Sequence, residues 1–228
     1  MNRLAKRENI SMSVIRRLPR YYRFLGELQQ GGTTRISSRE LSERMGLTAS
    51  QIRQDLNCFG DFGQQGYGYN VTLLRNEIAA ILGIDHSLRT VVIGAGNLGR
   101  AVALYMAFET KGLDCIGIFD KKETITGKIV CGMPVRHIDG LDEFCRENLP
   151  CVAVLCVPVD AAREVVPQLV SLGIRSFLNF SHYDIAVDYP DCTVENVHLG
   201  DSMMTLCYRA NQREASASPA SGEKRSGV

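Results

Sequence analysis

Gly94, Gly96 and Gly99 follow the apolar run Val91-Val92-Ile93 with the spacing Gly-x-Gly-x-x-Gly, completed by Ala95, Asn97 and Leu98. This is chemistry for a phosphate. Gly94 permits a tight turn after a strand, Gly96 lets backbone N–H groups approach a pyrophosphate, and Gly99 lets the following helix lie close to the strand. The helix start then offers its unpaired N–H groups and the positive end of its dipole. A second apolar run, Cys115-Ile116-Gly117-Ile118-Phe119, ends at Asp120. A carboxylate there suits the adenosine ribose hydroxyls and repels a 2′-phosphate, which favours NAD over NADP. Lys121 and Lys122 offer cations that can accommodate the extra phosphate, and a glycine turn used only for helix–strand packing is the plain alternative. Val157-Pro158 ends another apolar strand at the edge where open α/β sheets bind ligands, and is read as a pocket wall.

An enzyme needs a proton-handling group beside the nicotinamide. His182 and His198 are the candidates, though a lone histidine is more often structural. No Lys, Tyr or Cys stands in a catalytic spacing. A sensor's ligand site is therefore preferred to an NAD-dependent dehydrogenase with a helical accessory domain, or to a structural protein that uses NAD for folding.

A second set of residues suits nucleic acid. Ser37-Ser38-Arg39-Glu40 has the spacing of a capping box, and Thr48-Ala49-Ser50-Gln51 repeats it. Two short helices are expected, the first ending at Met45 and Gly46. The second turns Ile52, Leu56 and Phe59 inward and leaves Ser50, Gln51, Arg53, Gln54 and Asn57 on its other faces. This is a helix-turn-helix pattern. Arg suits guanine, and Gln or Asn suits adenine. Arg16 and Arg17, with Arg3, Lys6, Arg7 and Arg20, suit phosphates. Gly60–Val71 reads as a glycine- and aromatic-rich hairpin, a wing carrying Tyr67 towards the same partner. The competing reading is a helical interaction domain with solvated charges.

The elements around these residues define two domains. Val14, Ile15, Leu18, Tyr21, Tyr22, Leu25 and Leu28 recur at helical spacing over 12–30, with Pro19 marking a kink or a true start. A helix from Thr72 to Leu82 closes a DNA-binding domain over 1–83. From 84 to 198, strands at 90–94, 114–119, 151–156, 175–179 and 193–197 alternate with helices at 97–109, 139–147 and 160–172, as in a doubly wound parallel sheet. A last helix is expected over 201–211, within a segment 199–212, and 213–228 reads as a disordered tail.

Composition is consistent with this division. The net charge of +1 over 228 residues conceals an imbalance, since residues 1–83 hold 12 Lys+Arg against 7 Asp+Glu. That basic front, with an acidic remainder, suits a polyanionic partner. No apolar run approaches the roughly 18 residues of a membrane span. A basic N-terminus without an apolar stretch argues against a secretory signal, so a cytoplasmic protein is expected. The eight cysteines include no Cys-x-x-Cys pair and are read as reduced core thiols, with neither disulfide nor metal.

Several segments together resemble the Rex family of redox-sensing transcriptional repressors. They are Arg17-Leu18-Pro19-Arg20-Tyr21-Tyr22-Arg23, Ile36–Leu41, Gln51–Leu56, Phe59-Gly60, Gly66–Val71, Gly94–Gly99, Phe119-Asp120, Gly132–Val135, Val157-Pro158, Gly173-Ile174 and Leu178-Asn179-Phe180. The match runs over about residues 12–210. The resemblance implies a bacterial homodimer with an N-terminal winged helix, a Rossmann domain and a final helix exchanged with the partner. It implies a palindromic operator in double-stranded DNA, release by NADH and competition by NAD⁺. Among the family's switch residues, Arg23 matches the Arg after the paired tyrosines, and Tyr105 matches the Tyr of the first Rossmann helix. His198 stands where the family has Asp, with Asp201 three residues on. The segment beside the nicotinamide is Phe180-Ser181-His182, and the wing tip, basic in the family, is Gln64-Gln65.

Overall fold

The computed structural model describes residues 10–59, 63–64, 68–108 and 111–217. The chain divides into two compact units, 1–87 and 88–228.

In the first unit, α1 (Met12–Ile15) ends before Pro19, which lies in the first turn of α2 (Leu18–Gln30). Proline is tolerated there because the first helical N–H groups have no intrahelical partner. Then come β1 (Arg35–Ile36), α3 (Ser38–Met45), α4 (Ala49–Asn57), β2 (Gly63–Gln64), β3 (Gly68–Asn70) and α5 (Val71–Leu82). The strands pair antiparallel in the order β1-β3-β2, the arrangement of a winged helix-turn-helix. Leu18, Tyr21 and Leu25 of α2 are fully buried with Leu41, Ile52 and Ile78, so one core fixes four helices.

Both expected caps form, but only one is reciprocal. Ser37 Oγ accepts from the Glu40 N–H, and Glu40 accepts from the Ser37 N–H at 2.7 Å. Thr48 caps the Gln51 N–H at 3.1 Å, whereas the Gln51 side chain turns to Asp55, 2.8 Å away. A buried carboxylate outcompetes an exposed backbone group for that amide. Asn70 caps α5 by accepting from the Leu73 N–H, so the helix begins at Val71, one residue before Thr72.

The second unit contains β4 (Leu88–Ile93), α6 (Asn97–Phe108), β5 (Leu113–Asp120), β6 (Ile129–Val130), β7 (Met133–His137), a 3-10 turn (Ile138–Gly140), α7 (Leu141–Asn148), β8 (Val152–Leu155), α8 (Val159–Ser171), β9 (Ser176–Asn179), α9 (Ile185–Asp188), β10 (Thr193–Asn196) and α10 (Leu199–Ala217). The sheet order is β10-β9-β8-β4-β5-β7-β6. Its strands run parallel except at edge strand β6. The two faces are covered separately. Val91 and Ile93 pack with Phe119, Leu155 and Val166, while Val92 packs with Ala103, Met106 and Ile118, as the period of two demands.

Several elements differ from expectation, the two-residue β1 (Arg35–Ile36) among them. The β6–β7 hairpin was absent from the sequence reading because Pro134 and the charged Arg136 disguise a short edge strand. The four-residue α9 was also absent from it. Helix α10 runs through Ala217, so residues 213–217 of the expected tail are helical, and 218–228 lie outside the described residues.

Candidate functional site

The glycine loop joins β4 to α6 at the point where the connections from the central strands diverge. Gly94 has φ +96°, and a Cβ there would lie 2.6 Å from the Cys156 carbonyl oxygen and 2.7 Å from a Val157 methyl carbon. Gly99 is tighter still, since its Cβ would come to 1.7 Å from the Gly94 carbonyl oxygen. These glycines are required by the backbone itself. Gly96 differs, because a Cβ there would meet nothing within 4 Å. Gly96, Asn97 and Leu98 are exposed, while Gly94, Ala95 and Gly99 are buried. The loop thus presents an open backbone surface, without a side chain at Gly96, beside a helix N-terminus. That shape fits a pyrophosphate.

Asp120 ends β5 with both carboxylate oxygens engaged. Oδ2 accepts the Ala95 N–H at 2.7 Å and Oδ1 accepts the Lys122 N–H at 2.8 Å. These contacts fix the carboxylate against the glycine loop and leave further lone pairs for ribose hydroxyls. Val157 is half-buried and Pro158 exposed at the start of α8.

Beyond β9 a compact polar network shapes the next loop. Buried Asn179 donates to the Tyr183 carbonyl at 2.9 Å and to Asn196 Oδ1 at 2.8 Å. Its own Oδ1 accepts from the Ser181 N–H and hydroxyl, at 3.0 and 2.6 Å. Phe180, between them, is half-buried. Sequence reasoning missed this network's role, although a polar residue closing the apolar run Phe177-Leu178 was its visible signal. His182 and His198, at the ends of β9 and β10, bring their ring centroids to 5.1 Å with planes tilted by 33°. His198 Nδ1 lies 3.6 Å from Asp201 Oδ2 in the first turn of α10. Tyr105 on α6 is exposed, as are Leu104, Phe108, Met203, Met204, Leu206 and Tyr208. Burial holds the Cys156 thiol beside the loop up at about 12, so it is an inert core group. Among the described residues no cluster of His, Cys, Asp or Glu has a metal-binding arrangement, and no helix is long and apolar enough to cross a membrane.

In the first unit, α4 exposes Ser50, Arg53, Gln54 and Asn57. Arg53 Nη1 donates to Ser38 Oγ at 3.1 Å. On the opposite face, Asp55 is 1% exposed and accepts four hydrogen bonds, two from Arg17, one from Tyr21 and one from Gln51. Burial pushes its pKa up, but the hydrogen bonds from Arg17, Gln51 and Tyr21 outweigh that and hold it below the usual carboxylate range. Burial and the bond to Asp55 raise the Tyr21 phenol far above its ordinary value. Arg17 and Gln51, read from sequence as facing DNA, are thus engaged in fixing the helix. Arg20 donates to the Met45 carbonyl. Arg16 and Arg23 are exposed. Tyr67 and Gln65 of the wing, and Arg3, Lys6 and Arg7, lie outside the described residues.

Comparisons with known proteins cover both units. A family model described as "Putative DNA-binding protein N-terminus" matches residues 9–57, and one described as "CoA binding domain" matches residues 85–183. The redox-sensing transcriptional repressor Rex of Thermoanaerobacter pseudethanolicus is 49% identical over 211 residues, 92% of this chain and 94% of its own. The repressor of the same name from Clostridium kluyveri is 48% identical over 209 residues, covering 92% and 99%. The crystal structure of RSP with beta-NAD⁺ and operator DNA matches with a TM-score of 0.83 at 49% identity, over 90% of this chain and 94% of that one. RSP with beta-NADH matches with a TM-score of 0.80 at 46% identity, over 91% and 97%.

Proposed function

The chain belongs to the Rex family of redox-sensing transcriptional repressors, and on that premise we propose that it represses transcription by binding an operator and leaves it when NADH occupies the second unit. The observation that carries this reading is that relatives of this class match both units in one alignment. A dehydrogenase would share the nucleotide-binding unit alone. Family membership accordingly makes the protein a regulator rather than an enzyme.

Gly94–Gly99 supply the phosphate site, and Asp120 takes the adenosine ribose. Val157, Pro158 and Phe180 line the way towards the nicotinamide, where NADH and NAD⁺ differ by a hydride and a ring charge. The chain's task there is to distinguish those two rings. Ser50, Gln51, Arg53, Gln54 and Asn57 of α4, with Tyr67 of the wing, read base edges and phosphates, and Arg16 and Arg17 reinforce the backbone contacts, Arg17 and Gln51 through the donors that their bonds to Asp55 leave over. Arg23, Tyr105, His198 and Asp201 take part in the switch between the two states.

The working unit is a homodimer on a palindromic operator. Its half-sites lie about 34 Å apart or a multiple of that, because two equivalent helices enter successive major grooves. The exposed apolar residues of α6 and α10 support such an assembly, with residues 199–212 exchanged between partners. The protein works where the chromosome is, in the cytoplasm. A ligand shifts an equilibrium only by its differential affinity for the two states. Moving an operator from mostly bound to mostly released takes roughly 5 kcal/mol, shared here by two sites.

The test is operator binding across NADH/NAD⁺ ratios at fixed total nucleotide. Affinity should fall as the NADH fraction rises and recover with NAD⁺. Operator affinity indifferent to both nucleotides would defeat the proposal, as would hydride turnover without DNA retardation.

A further inference from the structure

Asp120 and His137 are register partners near the ends of the neighbouring parallel strands β5 and β7. Past Asp120 the chain turns through Lys121 and Lys122, and the Asp120 carboxylate closes that turn on the Lys122 N–H. The carbonyl oxygen of Lys121 lies 3.2 Å from His137 Nε2. At the ring's other edge, Nδ1 lies 3.4 Å from the Asp139 amide nitrogen and 3.1 Å from Asp139 Oδ2.

These partners give the ring two fixed contacts. A carbonyl only accepts, so Nε2–H donates to the Lys121 carbonyl. Nδ1 accepts from the Asp139 N–H, so the same ring caps the 3-10 turn that follows β7.

We propose that His137 is a positioning residue for the nucleotide: its ring, held at Nδ1 by the Asp139 N–H, clasps the Lys121 peptide from Nε2 and keeps the Asp120–Lys122 turn in shape for the adenosine ribose. This rests on Asp120 being the ribose ligand, as in the reading above. The clasp acts at the adenosine end, so NADH and NAD⁺ feel it alike, and it sets how much nucleotide is held rather than which redox form.

The test uses the full chain and ADP-ribose, a probe without nicotinamide, so that His182 and His198 do not enter. Its affinity is measured beside that of NADH, and amide-exchange protection at Lys122 is followed in the nucleotide-free protein. His137→Ala should weaken ADP-ribose and NADH alike by roughly threefold, as the loss of one neutral hydrogen bond does, and should lower protection at Lys122. His137→Gln, whose amide can donate to the same carbonyl, should recover part of both. A His137→Ala variant with wild-type ADP-ribose affinity and Lys122 protection overturns the clasp alone. Failure of NADH and ADP-ribose to bind the wild-type chain overturns the ribose reading and the clasp with it.

Discussion

Arg17 and Asp55, 38 positions apart, meet through two parallel hydrogen bonds of 2.7 Å, Nε–H to Oδ2 and Nη2–H to Oδ1. A planar guanidinium matches a carboxylate in this way, and an ammonium does not. The pair ties the root of α2 to the buried side of α4, and thereby aims Arg53, Gln54 and Asn57 outward.

Removing the carboxylate should therefore cost more than an ordinary surface change. Asp55→Ala leaves Arg17, Tyr21 and Gln51 without their shared acceptor in a buried place, a loss of about 2–4 kcal/mol. Urea unfolding of the variant should show a lowered midpoint with an unchanged slope. Arg17→Lys should recover only part of the wild-type value, since one ammonium spans the two oxygens poorly. If Asp55→Ala unfolds at the wild-type midpoint, the network is not structural.

The same network predicts acid sensitivity. Asp55 has a depressed pKa in the fold, so its stabilisation is fully present above the ordinary carboxylate value near 4 and is lost as pH falls through the lower folded value. Thermal unfolding followed between about pH 5 and 2 should show a decline that is shallower in Asp55→Asn, which no longer titrates at that site. Identical declines would assign the acid loss to other carboxylates.

Gly99 and Gly96 should separate folding from binding. Gly99→Ala forces a carbon against the Gly94 carbonyl oxygen, so the loop or α6 must move, and both stability and NADH affinity should fall. Gly96→Ala has free space around it. Its melting temperature should stay within a degree or two, while the new methyl stands where a pyrophosphate approaches and weakens NADH by roughly tenfold or more. Calorimetric titration with a melting curve for each variant decides it. Equal losses of stability would contradict this division of labour.

What was legible in the sequence follows from the range of each signal. The strands β4, β5 and β8 announced themselves because burial on both faces makes continuous apolar runs such as Val152–Leu155. The Ser37–Glu40 cap was legible because its partners lie three residues apart. The bonds from Arg17 to Asp55 were not legible, because the partner is 38 positions away and nothing local distinguishes a cation committed to a buried carboxylate. Gln51 was expected to reciprocate the Thr48 cap and turns instead to Asp55, four residues on, because local spacing offers its side chain both partners. The β6–β7 hairpin lies at a sheet edge, where short pairing and Pro134 give little periodicity.

Exposed residues of α4 should carry operator discrimination. Gln54→Ala should cost about 1–3 kcal/mol on the specific operator and little on random duplex, if its amide reads a base edge. Arg16→Ala should weaken both equally and make the salt dependence shallower by about one unit of slope, if it neutralises a phosphate. Retardation assays at several salt concentrations separate the two patterns. A Gln54→Ala variant that weakens random and specific DNA alike would remove this side chain from base readout.

The paired rings of His182 and His198 should take part in the redox response. Their centroids lie 5.1 Å apart with planes tilted by 33°, and Asp201 Oδ2 lies 3.6 Å from His198 Nδ1. The pair thus joins the loop after Phe180 to the first turn of α10. A link of this kind, if it carries the state of the nicotinamide to α10, gives a specific pattern. His198→Ala should raise the NADH concentration needed to release operator several-fold while ADP-ribose affinity stays at the wild-type value, and Asp201→Asn should have a smaller effect in the same direction. Operator release is measured at constant salt and pH, with ADP-ribose affinity recorded alongside to separate effects at the adenosine end. A His198→Ala variant that releases operator at the wild-type NADH concentration would show that the paired rings serve the loop's structure and not its switching.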